Sequence, residues 1–128
     1  MKSKRPSKQR KEFYEAGGQR IRKLMSAPLS TELRGTQGRR SYQVRRGDTV
    51  KIVRGDFAGV EGKVTEVDRT SRRLFVEGVT REKTSGTSSN VSVHCSKVVI
   101  TKLNLDDKWR AESIKLTGVK EVKGGSEE

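Results

Sequence analysis

The chain has 128 residues, with 29 Lys or Arg against 16 Asp or Glu, which leaves a net charge of +13 and an isoelectric point near 10.3. That length holds one domain of ordinary size and excludes a two-domain enzyme, and the charge points to a polyanionic partner. Leu, Ile, Val and Phe supply only 28 residues, so only part of the chain can form a packed core.

The first 40 residues carry 12 basic and 3 acidic side chains and read as a basic arm. Met1-Lys2-Ser3-Lys4-Arg5-Pro6 leads into more charge instead of an apolar stretch. With no run long enough to span a bilayer, this predicts a cytosolic protein with no membrane partner. Ser7 is the expected cap of a short basic helix through Ala16, anchored by Phe13 and Tyr14 and closed by Gly17-Gly18 in left-handed conformation. A second helical turn is expected over Gln19–Met25, ended by Pro28, and a third from Ser30, with Glu32 in its first turn, to Gly35. None has an apolar face wide enough to stand alone, so the arm is expected to order only against a partner.

Nineteen of the 28 large apolar residues fall between Ser41 and Leu105, which places the folded domain at 41–105. Thr49–Val53, Lys63–Val67, Leu74–Glu77 and Val98–Leu103 are short, rich in β-branched residues and separated by turn chemistry, and Val91–Val93 adds a fifth candidate strand. Four or five antiparallel strands in so few residues predict a mainly β fold, a small SH3-like barrel. Arg81–Asn90, with Thr84-Ser85-Gly86-Thr87-Ser88-Ser89, reads as a long polar loop, mobile until bound. Asp106 is expected to cap a C-terminal helix, 106–117, whose Trp109 folds back on the barrel together with Leu105. Gly118 ends that helix, and 118–128 reads as a disordered tail.

The most informative segment runs from Val44 to Val64. Gly47-Asp48 turns into a strand, Gly55 follows it where a positive φ is needed, and Gly59 and Gly62 let the chain return closely. The loop so formed is flanked by Arg54 and Lys63, and its open backbone donors suit phosphate, while Phe57 offers either a base-stacking face or a core plug. Core packing is the commoner role of such a phenylalanine, and Arg45, Arg46, Arg54 and Lys63 would also be unremarkable as exposed strand-end charges.

This segment resembles a KOW motif: a Gly-Asp-x-Val strand, a Gly-x-x-x-Gly loop and a Gly-Lys-Val return. Met25-Ser26-Ala27-Pro28-Leu29-Ser30-Thr31-Glu32-Leu33-Arg34 before it, and Ser96-Lys97-Val98-Val99-Ile100-Thr101-Lys102-Leu103 after it, resemble the universal KOW-domain family of the large ribosomal subunit, numbered twenty-four in bacteria and archaea and twenty-six in eukaryotes. The resemblance covers roughly residues 7–110, and the extended arm with Arg81-Glu82-Lys83 is similar to the archaeal and eukaryotic branch. The chain departs from the family pattern at Ala16-Gly17-Gly18-Gln19, Gln43 and Cys95. The resemblance implies a structural protein bound to the 5′ domain of large-subunit rRNA, added early in assembly and placed near the peptide exit tunnel, with neighbouring ribosomal proteins as further partners. RNA contacts are then expected from Arg5, Lys8, Arg10, Lys11, Arg20, Arg22, Lys23, Arg34, Arg39 and Arg40 of the arm. The domain adds Arg45, Arg46, Lys51, Arg54, Gly55, Phe57, Lys63, Arg81, Lys83, Ser96, Lys97 and Lys102.

Other classes fare worse on the same residues. Gly62-Lys63 lacks the glycine at 57 and the Ser or Thr at 64 that a phosphate-binding P-loop requires. Asp48, Asp56, Glu61, Glu66 and Asp68 lie among lysines and arginines, so charge balancing explains them better than acid/base chemistry. His94 and Cys95 have no third catalytic partner and fall short of the four ligands of a structural zinc site. No enzyme activity, metal, cofactor or small-molecule substrate is therefore expected. A KOW-type transcription elongation or RNA-processing factor is the alternative, although such factors join the motif to another folded domain for which this chain has no room.

Overall fold

The computed structural model describes residues 3–116. Helix α1 (Pro6–Tyr14) opens on Pro6, whose fixed φ suits the first helical position, so Arg5 is the cap residue and Ser7 lies inside the helix. Gly17 does not close α1 in left-handed form: its φ is −70° and it caps α2 (Gly18–Leu24). Ser30 caps α3 (Thr31–Gln37) through a hydrogen bond from the Leu33 amide, 3.4 Å. That helix runs through Gly35 and stops at Gly38, which takes the left-handed conformation (φ 63°) that ends a helix, whereas an internal glycine costs only about 1 kcal/mol.

Between α2 and α3 the arm becomes part of the domain. Strand β1 (Ser26–Pro28) pairs antiparallel with β2 (Ser41–Gln43), the Leu29 amide donates to the Arg40 carbonyl, and the Ser30 amide donates to that of Ile100. Met25, Ala27 and Leu29 alternate inward and are buried with Val44 in the same core as the main sheet. The buried core thus takes in Met25, Ala27 and Leu29 of the expected arm.

The main sheet consists of β3 (Thr49–Ile52), β4 (Glu61–Asp68), β5 (Arg73–Glu82), β6 (Ser88–His94) and β7 (Val98–Lys102), all antiparallel, in the order β6-β5-β4-β3-β7. The mainly β, antiparallel class expected from the sequence is the observed one, with a partly helical basic arm and a short C-terminal helix. The sheet is not a closed barrel: edge strands β6 and β7 are joined by a single 3-10 turn (Cys95–Lys97), yet no ladder closes between them among the described residues. Irregular register in β4 and β5 bends the sheet around Val50, Ile52, Val64, Leu74, Val76, Val79, Val93, Val98 and Ile100, all buried.

Two further expectations change. Much of Arg81–Asn90 is a paired hairpin in place of the expected loop: Thr80 pairs with Asn90, Arg81 with Ser89 and Glu82 with Ser88, and the Lys83 amide donates to the Thr87 carbonyl at 2.8 Å. Backbone pairing needs no apolar side chain, and Ser85-Gly86 supplies the turn. Helix α4 (Lys108–Leu116) is capped not by Asp106 but by Asp107, whose side chain accepts from the Trp109 amide at 3.1 Å. Leu105 and Trp109 are exposed, while Arg110 and Ile114 turn inward. The tail expected from Gly118 lies outside the described residues.

Candidate nucleic-acid interface

The β3–β4 connection has the form its glycines require. Gly55 and Gly59 both take φ near 93°, and the Gly59 amide returns to the Ile52 carbonyl at 2.7 Å, closing a tight exposed loop. Gly62 crosses β5 so closely that a Cβ would stand 2.6 Å from the Glu77 carbonyl oxygen. Phe57 is half-buried and packs on the core, so it acts as the plug of the loop.

Asp48, read from the sequence as one of several charge-balancing acids, is fully buried and anchors the C-terminal helix. Its two carboxylate oxygens accept from Arg110 Nη1 and Nη2 at 2.5 and 2.7 Å, and from the amides of Asn104 and Arg45 at 2.9 Å each. The Arg110 guanidinium also donates to the carbonyls of Asn104 and Gln43 and lies 5.2 Å from the Tyr42 ring centroid. A buried pair with every acceptor position filled has a well-defined geometry, and removing one partner would leave an uncompensated charge. Beside it, Arg45 pairs with Asp107, and this hydrogen bond holds the Asp107 carboxyl below the usual carboxylate range.

The basic residues gather in several places around this frame. Arg22, Arg45 and Arg46 line a groove of about 730 Å3 that also takes in Arg69 and Trp109, neither of which the sequence nominated. Arg54, Gly55, Phe57, Arg81 and Lys97 meet in a second concavity of about 120 Å3, joined by Arg73 and His94. Burial, followed by the charges of Arg73, Lys97 and Arg72, lowers the pKa of His94 from the usual imidazole range. Lys8, Lys11 and Arg20 line a third hollow with Glu12 and Glu15, and Arg20 is ion-paired to Glu12. Lys51, Lys63 and Lys102 do not enter these hollows: the register sets Lys63 and Lys102 opposite Thr49, and all three lysines are exposed on the outer face of the sheet.

The remaining nominated residues are dispersed. Arg5, Arg10, Lys23, Arg40 and Lys83 are exposed. Arg34 is tied back by a hydrogen bond from Nε to the Leu29 carbonyl, 2.9 Å, and the Arg39 guanidinium lies 5.3 Å from the Tyr42 ring centroid. Ser96 is exposed with its hydroxyl 2.8 Å from His94 Nδ1. Cys95 is buried and donates to the Leu24 carbonyl, and burial raises its thiol pKa, in keeping with a structural role. Arg69 sits in the Asp68-Arg69-Thr70-Ser71 turn, where Asp68 accepts from the Thr70 amide and the Ser71 hydroxyl. That Asx-turn signature was visible in the sequence. Arg73 carried no local signal, because its partners come from β6 and the loop after β3.

Comparison with known proteins bears on the same span. The family described as ribosomal proteins L26 of eukaryotes and L24P of archaea matches residues 3–116. The large ribosomal subunit protein uL24 of Korarchaeum cryptofilum is 49% identical over 120 residues, covering 94% of this chain and 92% of that protein. The uL24 proteins of Sulfolobus acidocaldarius and Saccharolobus solfataricus are 46% and 45% identical over 114 residues, covering 89% of this chain and 85% and 96% of theirs. The chain belongs to the family of ribosomal proteins L26 of eukaryotes and L24P of archaea.

Proposed function

We propose that this protein is a structural constituent of the large ribosomal subunit that binds rRNA through its arm, the β3–β4 loop and the groove beside α4. The observation that carries the reading is charge without internal partners: the only ion pairs among the described residues use Arg20, Arg45, Arg81 and Arg110. Apart from Arg34, which donates to the Leu29 carbonyl, and Arg39, which lies over the Tyr42 ring, the other lysines and arginines of the arm, loop and groove are left for an external polyanion, and phosphate contacts of this kind supply most of the affinity for RNA. Relatives named as large-subunit proteins support the ribosomal setting, and the family is structural, so no catalytic activity is assigned. Family membership also favours this reading over a transcription factor. The resemblance of the KOW segment supports the finer expectations: the 5′ domain of the rRNA, early entry into assembly, a position near the exit tunnel, and neighbouring ribosomal proteins as partners.

The test is the salt dependence of binding to a 5′-domain rRNA fragment. Arg54→Ala and Lys63→Ala are each expected to lower the slope of log K against log salt by about 0.7 to 0.9 per lost phosphate contact. An unchanged slope in both would remove the β3–β4 loop and its flank from the binding surface.

A further inference from the structure

Trp109 is the one tryptophan of the chain. It is 78% exposed although it neighbours the most buried arginine of the fold. A large aromatic side chain left in water gains nothing for stability, and tryptophan is enriched where a surface binds a partner. With Gln43 and Arg45 it lines both the groove of about 730 Å3 and an adjoining one of about 310 Å3, so these three residues form the ridge between the two.

The backbone that carries the ring is fixed on both sides. Its amide donates to Asp107, itself held by Arg45, and the next residue, Arg110, is locked onto Asp48. A platform ordered in advance loses little freedom on binding. Around it, Arg22, Arg46 and Arg69 are exposed and form no ion pair among the described residues, while Asp107 is neutralised by Arg45 and Glu66 is the one other carboxylate in the groove. An aromatic face ringed by free guanidinium groups, in a groove of nucleotide size, matches a base flanked by its phosphates. A paired A-form helix keeps its bases stacked inside, so the fitting ligand is a nucleotide from a loop or bulge.

We propose that Trp109 is a stacking platform for one unpaired rRNA base, with Arg22, Arg46 and Arg69 receiving the adjoining phosphates. This deepens the RNA-binding reading above and rests on it.

The indole reports on its own site. The full chain is titrated with a single-stranded oligoadenylate of about eight nucleotides and with an RNA duplex of the same length, following tryptophan emission and the anisotropy of labelled RNA in parallel. The single strand is expected to quench the emission as it binds, and the duplex to bind without quenching. Trp109→Leu should weaken single-strand binding about 5- to 150-fold with the salt slope unchanged, and Trp109→Phe should restore most of the affinity. Arg46→Ala and Arg69→Ala should each lower the slope by about 0.7. Single-strand binding with unchanged emission, or full affinity in Trp109→Leu with an unaltered circular dichroism spectrum, would overturn the stacking proposal while leaving RNA binding intact. Failure of the unmodified chain to bind either RNA would overturn both.

Discussion

Helices α1 and α4 both read from the sequence as short charged appendages of a β domain, yet they are attached in different ways. Helix α1 buries no residue; it is held where the Arg72 guanidinium stacks 3.6 Å from the Phe13 ring centroid and donates to the Phe13 carbonyl. Helix α4 inserts Arg110 against Asp48 and buries Ile114 beside it. A cation–π contact is worth about 0.5 to 2 kcal/mol, whereas breaking a buried ion pair costs about 3 to 5 kcal/mol. Charge count therefore says little about whether a helix belongs to the fold; what matters is whether a charge meets a buried partner.

Truncation gives the largest effect and places the limit of the loosely held part. Removing residues 1–40 takes out Met25 and Leu29, each worth about 2 to 5 kcal/mol when reduced to alanine in a core, and should abolish cooperative unfolding in urea. Removing residues 1–17 should leave a cooperative transition and the β circular dichroism signal, while RNA affinity falls with the loss of the basic residues of α1. A cooperative transition in the longer deletion would show that β1 is dispensable.

The latch comes next. Asp48→Ala should lower stability by about 3 to 5 kcal/mol in urea unfolding, because Arg110 is left buried without its anion. A loss below about 1 kcal/mol would mean that α4 swings out at little cost. Phe13→Ala should cost only about 0.5 to 2 kcal/mol and match the 1–17 deletion in thermal stability. A loss as large as that of Asp48→Ala would erase the distinction between the two helices.

Much of this was legible beforehand. The β-branched runs from Thr49 to Leu103 marked each of the five strands of the sheet, and Gly55 the turn of the β3–β4 loop, but the polar hairpin that extends β5 to Glu82 and starts β6 at Ser88 was read as a loop. The alternation in Met25-Ser26-Ala27-Pro28-Leu29 has the two-residue period of a half-buried strand, but the high charge of its surroundings hid it. The Asp48–Arg110 pair joins residues 62 positions apart and has no local signature. Reading Trp109 as an inward anchor followed the general habit of tryptophan; α4 is instead rotated by Arg110, which fills the inward position. At the candidate interface, the sequence named the charges of the loop and arm but not Arg69, which the Asp68 turn carries into the groove, nor Arg73, which meets residues of β6 and of the loop after β3.

An integral protein of the large subunit, held by rRNA, should remain on the particle when loosely bound factors are washed away. Sedimentation of a native lysate through a sucrose gradient after a high-salt wash, with the protein followed by mass spectrometry, tests it most directly. The protein is expected to stay with the large subunit at one copy per particle. Recovery in the light fractions, or alongside RNA polymerase, would contradict it.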